Sequence, residues 1–138
     1  MTEKAISKTT VSVIIHIPEN PPYEIENLYR MVDTILNQYN MRLEIILLDE
    51  CNDKVIINKI TEMNINGYQI LTINKKYNSH AAWLNSALEK SKSDYLLYID
   101  NRNAEIYLKN AALSAFYLAS ERYPDSRLIY SDYEIEIN

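Results

Sequence analysis

SDYLLYIDNRN, residues 93–103, carries five apolar or aromatic residues, Tyr95 to Ile99, straight into a polar turn that begins at Asp100. A strand buried on both faces of a parallel sheet reads as a continuous apolar run rather than an alternating one. In open α/β sheets, ligands sit outside the carboxyl ends of the strands. The stretch therefore predicts a parallel strand over residues 95–99 and places candidate chemistry at Asp100.

The same pattern recurs upstream. Residues 11–17, VSVIIHI, are β-branched almost throughout and stop at Pro18, which has no N–H to give a ladder, so they predict a first buried strand. Residues 43–48, LEIILL, predict a second that runs into Asp49, Glu50, Cys51, Asn52 and Asp53, and residues 68–73 a third. From Glu24, the apolar residues Ile25, Leu28, Tyr29, Val32, Ile35, Leu36 and Tyr39 recur at steps of three and four, the stripe of an amphipathic helix. Residues 54–63 predict a short helix with Val55, Ile56, Ile60 and Met63 inward, stopped by the Asn66-Gly67 turn. Residues 79–90 predict a helix capped by Asn78 or Ser79. A longer helix is expected over residues 105–122 and a last strand over residues 127–133. This alternation predicts a three-layer α/β fold with a mainly parallel sheet of about five strands and right-handed crossovers. Residues 1–10 read as a flexible lead-in and residues 11–138 as one domain.

Composition removes several classes of function. The chain has 138 residues, 47% apolar and 24% charged, in the range of a globular domain with its own core. A net charge of -5 argues against general nucleic-acid binding, which needs a basic stripe. Cys51 is the single cysteine, which precludes an internal disulfide and fits a reducing cytoplasm. No apolar run approaches the length of a membrane span, and residues 1–10 lack the apolar core of a signal peptide. Gly67 is the only glycine, which excludes the glycine-rich phosphate cradles of dinucleotide-binding and P-loop proteins.

Three polar clusters fall just past predicted strand ends: residues 16–20, 49–53 and 100–103. Asp and Asn there serve as turn formers and caps on their own account. In a parallel sheet, however, the three ends share one edge, so the clusters are expected to converge. Among other candidates, His16 and His80 have no further His or Cys at ligand spacing, which favours capping or core roles over zinc. Trp83 reads as core, and Tyr95, Tyr98, Tyr130 and Tyr133 as packing residues with wet hydroxyls. Cys51 stands among carboxylates that raise a thiol pKa, which makes it a poor nucleophile.

Taken together, VSVII, LYRMVDTILNQYN, EIILLDECND, AAWLNSALEKSKSDYLLYIDN and LIYSDYEI resemble the family 2 glycosyltransferases with the GT-A fold, from about Val11 to Ile135. The resemblance implies the nucleotide-sugar-binding half of such an enzyme. The acceptor half, which supplies the catalytic base, is expected elsewhere, so no catalytic residue is named and this chain alone is expected to be inactive. The implied partners are a nucleoside diphosphate sugar and a glycan, lipid or protein acceptor, with no nucleic acid and no membrane span. Further domains of the same polypeptide and a cytoplasmic location are also expected.

By the same resemblance, Asp49 and Glu50 match the acidic pair that contacts base and ribose, with Glu in place of the usual second Asp. Asp100 matches the first position of the DxD element, and Arg102 replaces its metal-binding third Asp. A Mg²⁺ or Mn²⁺ ion would have Asp100 and Asn103 as ligands, a poor cage for a hard cation. Further departures are His16 where Pro is usual, Pro18-Glu19 where Tyr-Asn is usual, and Ala87 and Ser93 where glycine is common. Two readings of Arg102 stand open. Its guanidinium grips the diphosphate in place of a metal, or the site is degenerate and the chain is a non-catalytic GT-A-like module with an interaction or scaffolding role. A phospho-acceptor receiver domain shares the alternation but needs an acidic pair after the first strand, where this chain has His16, Ile17, Pro18 and Glu19.

Overall fold

The computed structural model describes residues 10–130 and 135. Four strands, β1 (Thr10–Ile17), β2 (Arg42–Asp49), β3 (Gln69–Ile73) and β4 (Tyr95–Ile99), alternate with helices α1 (Ile25–Leu36), α2 (Lys54–Met63), α3 (His80–Lys90) and α4 (Ala112–Arg122). All strand pairs are parallel, in the order β3-β2-β1-β4. The predicted three-layer α/β class is the observed one. Thr10 belongs to β1 rather than to a lead-in, and residues 1–9 lie outside the described residues.

The burial explains why β1 and β2 read as unbroken apolar runs. Val11, Val13, Ile15 and Ile17 of β1 face α1 and α2, packing with Leu28, Val32, Ile35 and Ile60. Ile14 points the other way, with Ile46, Leu48, Trp83 and Ala87 under α3. Each face takes alternate residues of the same strand, so neither parity can be polar without a partner. Trp83 is core, as its position on α3 suggested.

Strand order fixes where a ligand can sit. From β1 the chain steps outward through α1 to β2 and through α2 to β3, then α3 returns it across the opposite face to β4, on the far side of β1. Right-handed crossovers require that change of face when the direction of travel reverses. The reversal makes the carboxyl ends of β1 and β4 the topological switch point, where a crevice opens. In register, Ile15 lies beside Ile99 and Ile17 beside Asp49, so His16, Asp49 and Asp100 share one edge.

Several expectations need correction. Val55 does not face inward; it is 71% exposed, while Ile56 and Ile60 carry the buried face of α2. The helix expected over residues 105–122 begins only at Ala112. Residues 105–111 instead form an irregular strap across α1, tied down by side chains of α1 and the residues just after it. The Ile106 N–H meets Met31 Sδ at 3.0 Å, the Leu108 N–H donates to Thr34 Oγ1 at 3.1 Å, and Gln38 Nε2 donates to the Lys109 carbonyl at 2.7 Å. Ile106 and Leu108, two apart, are the partly buried pair, a spacing that suits extended chain rather than helix. Residues 127–130 are irregular and so do not start the expected fifth strand, and residues 131–133 lie outside the described residues. Tyr130 is consequently exposed, not packed, and Tyr95 is 42% exposed.

Candidate functional site at the carboxyl edge of the sheet

Two hydrogen-bonded links to the backbone of β1 bring the three polar turns together. The Glu50 N–H donates to the Ile17 carbonyl at 3.1 Å, joining the turn after β2 to the end of β1. Asn101, almost fully buried, joins the turn after β4 to the same strand: its Oδ1 accepts from the His16 N–H at 3.0 Å and its Nδ2 donates to the His16 carbonyl at 2.8 Å. The side chain thus stands in for the next strand residue. Tyr23, in the loop before α1, closes the clamp by donating its hydroxyl to the Asn101 carbonyl at 2.6 Å. Asn101 and Tyr23 were not singled out from sequence. The only signal for Asn101 is that an amide can imitate a peptide group, and Tyr23 has none.

The predicted pairs take up unequal work. Asp49 is buried, and its Oδ1 accepts from the Asn52 N–H at 2.8 Å, while Asp53 caps α2 through the Val55 N–H at 2.9 Å. Part of that acidic cluster is therefore turn and cap chemistry. Glu50 is half-open, with Oε1 3.3 Å from His16 Nδ1. Asp100 and Arg102 pair in a fork: Arg102 Nε to Oδ1 and Nη2 to Oδ2, both at 2.8 Å. Those bonds hold the Asp100 carboxyl down to about 2 and raise the Arg102 guanidinium above its ordinary value. Asn103 is exposed.

Behind the fork lies a group of rings. The Tyr98 hydroxyl and His80 Nε2 are 2.8 Å apart, and the His16 and His80 rings lie 5.0 Å centroid to centroid. Burial pushes the Tyr98 hydroxyl up to about 12, with the Asp100 charge adding to it. His16 is completely enclosed; burial first, then the charges of His80 and Arg102, take its imidazole down to about 4. It is neutral near pH 7, so its approach to Glu50 is not an ion pair. Among the described residues, neither ring nitrogen of His16, nor Nδ1 of His80, has a hydrogen-bond partner. Cys51 lies close by, its thiol pKa raised by burial first and then by Asp53, Asp49 and Glu19, in keeping with a poor nucleophile.

This edge can present a guanidinium and carboxylates to a polar ligand. It does not suit a divalent cation. Asp100 spends both oxygens on Arg102, Asn103 offers only a neutral amide, and among the described residues no three His, Cys, Asp or Glu side chains are grouped to hold a metal ion. An open hollow at the opposite edge, between Arg42, Glu44, Gln69 and Lys92, is remote from all three turns.

Among solved structures, a mannosyltransferase from Pyrobaculum calidifontis, determined in complex with GDP-Man and Mn²⁺, is similar at 17% identity with a TM-score of 0.46. The match covers 63% of this chain and 25% of that one, so the chain spans about a quarter of that protein's length. No curated protein sequence matches. Among the described residues no helix is long and apolar enough to cross a membrane. The family model for glycosyl transferase family 2 matches residues 20–101, from the loop behind β1, through the acidic turn after β2, to the Asn101 clamp. That span is more than half the chain, contains the whole turn after β2 and reaches the first two residues of the turn after β4, and the chain belongs to glycosyltransferase family 2.

Proposed function

We propose that this chain is the donor-binding portion of a nucleotide-sugar-dependent glycosyltransferase, taking a nucleoside diphosphate sugar at the carboxyl edge of β1, β2 and β4. The observation that carries the reading is the convergence of the turns after those strands at the topological switch point, in a chain of this family. In this reading Asp49 and Glu50 face the base and ribose, and the Asp100–Arg102 pair lies beside the diphosphate. The sugar then projects over the edge toward an acceptor bound by a further domain of the polypeptide, which also supplies the catalytic base. The reading includes a cytoplasmic location, in keeping with the lone Cys51.

Amide-resolved NMR titration with UDP-, GDP- and TDP-sugars tests this. Shifts confined to residues 16–20, 49–53 and 100–103, lost in Asp49→Ala, are the expected result. Shifts at the opposite edge, around Arg42 and Gln69, or none with any donor, overturn it. The second reading, a GT-A-like module that binds a protein partner instead of a donor, is favoured by the fork that occupies both oxygens of Asp100. It predicts silence in the same titration.

A further inference from the structure

We propose that Arg102 and the amino end of α3, rather than a divalent cation, hold the diphosphate at the β1/β4 switch point. The inference rests on the donor-site reading above and adds to it the source of positive charge.

Three observations support it. First, the fork with Asp100 fixes the plane of the guanidinium and uses two of its five N–H donors. The Nη1 edge is left for another acceptor, and the side chain is about one-third exposed. A planar pair of N–H groups matches two phosphate oxygens, which a metal-replacing lysine would not. Asp100 acts here as the residue that orients Arg102, not as a ligand.

Second, the amino end of α3 is tied to the same place. His80, its first residue, is bonded to Tyr98 on β4, two residues before Asp100. Ser79 caps the Ala82 N–H, while the N–H groups of His80 and Ala81 have no partner within the helix. The positive end of the helix dipole and these free donors form an anion-binding arrangement.

Third, buried ring nitrogens close by lack a hydrogen-bond partner among the described residues: Nε2 of His16, which is completely enclosed, and Nδ1 of His80, while His16 Nδ1 has only Glu50 Oε1, at 3.3 Å. Buried polar atoms in folded proteins are almost always bonded, and each orphan is costly. The two rings, tilted by 30° with centroids 5.0 Å apart, leave this corner of the edge polar and incompletely satisfied. A hard cation finds no matching donor set among the described residues of this edge, whereas a diphosphate finds donors from a side chain and a helix end.

Calorimetric titration of the chain with UDP, GDP and TDP, each in EDTA and again in Mn²⁺, tests the inference. At least one diphosphate binds in EDTA, with an affinity that Mn²⁺ changes by less than about twofold. Arg102→Ala weakens it by roughly tenfold or more, the scale of a charged bidentate contact. Arg102→Lys, which keeps the charge and loses the fork, falls between. Asp100→Asn, which removes a repelling charge but keeps one oxygen to accept from Arg102, leaves metal-free binding in place. Thermal melting of each variant verifies folding, and the lysine variant decides if the alanine variant does not fold. Binding that needs Mn²⁺ and disappears in Asp100→Asn overturns the inference while leaving the donor site intact. No binding of any diphosphate in either condition overturns the donor-site reading, and this one with it.

Discussion

His16 shows how one residue can set the pH behaviour of the whole molecule. Its imidazole has a pKa of about 4 when folded and an ordinary value of 6.5. Between those values the unfolded chain binds a proton that the folded one refuses, so stability falls as pH drops from about 6.5 to about 4 and levels off below. The loss is roughly 3 kcal/mol at about 1.4 kcal/mol per unit. Asp100 continues the decline by the opposite route: its carboxyl is depressed to about 2, so its contribution is present above pH 3.8 and is lost as pH falls through about 2. Chemical denaturation between about pH 4 and pH 7 should show the first loss in the parent chain and a flat profile in His16→Leu, with the Asp100 loss appearing in both below pH 3.8. Replacement by leucine also removes two unpartnered nitrogens, so the variant should match or exceed the parent in stability at pH 7. Sequence placed His16, Asp49, Glu50, Asp100 and Arg102 on one edge because position after a strand is enough to do so. It could not show that Arg102 and Asp100 pair, since two residues of separation in a turn leave many geometries open.

Elements whose period was unambiguous were legible, and those whose polar residues reach across the fold were not. α2, α3 and β4 appear within a residue of expectation because caps or a continuous apolar run defined them, whereas α1 starts as expected but ends at Leu36, leaving Tyr39 of the expected stripe outside the helix and exposed. The first half of the long helix failed because its backbone finds partners on Thr34, Gln38 and Met31, distant in sequence. Gln38 is central to that exchange. It is buried, and besides the Lys109 carbonyl its Oε1 accepts from the Leu113 N–H at 3.0 Å, capping α4 from outside where Ala111 offers no side chain to do it. Gln38→Ala should therefore destabilise the fold by about 1–3 kcal/mol in urea unfolding, with the loss of protection concentrated in residues 105–116. A uniform loss would show that the strap folds only with the rest of the sheet.

At the scale of the molecule, β1 is the spine: it lies between β2 and β4, and its two faces supply both halves of the core. Truncating it should cost more than truncating any helix surface. Ile14→Ala, at a position with no solvent exposure, is expected to lower stability by about 2–5 kcal/mol in denaturant titration, against a few tenths for Val55→Ala on the open side of α2. The same central position gives the clamp at the end of β1 a use. The His16 amide proton is held by the Asn101 side chain, not by the backbone of a neighbouring strand. Its deuterium exchange is therefore a clock for the switch-point turn alone, ticking faster than Ile14 whenever Asn101 lets go and slowing once something in the crevice keeps the turn shut.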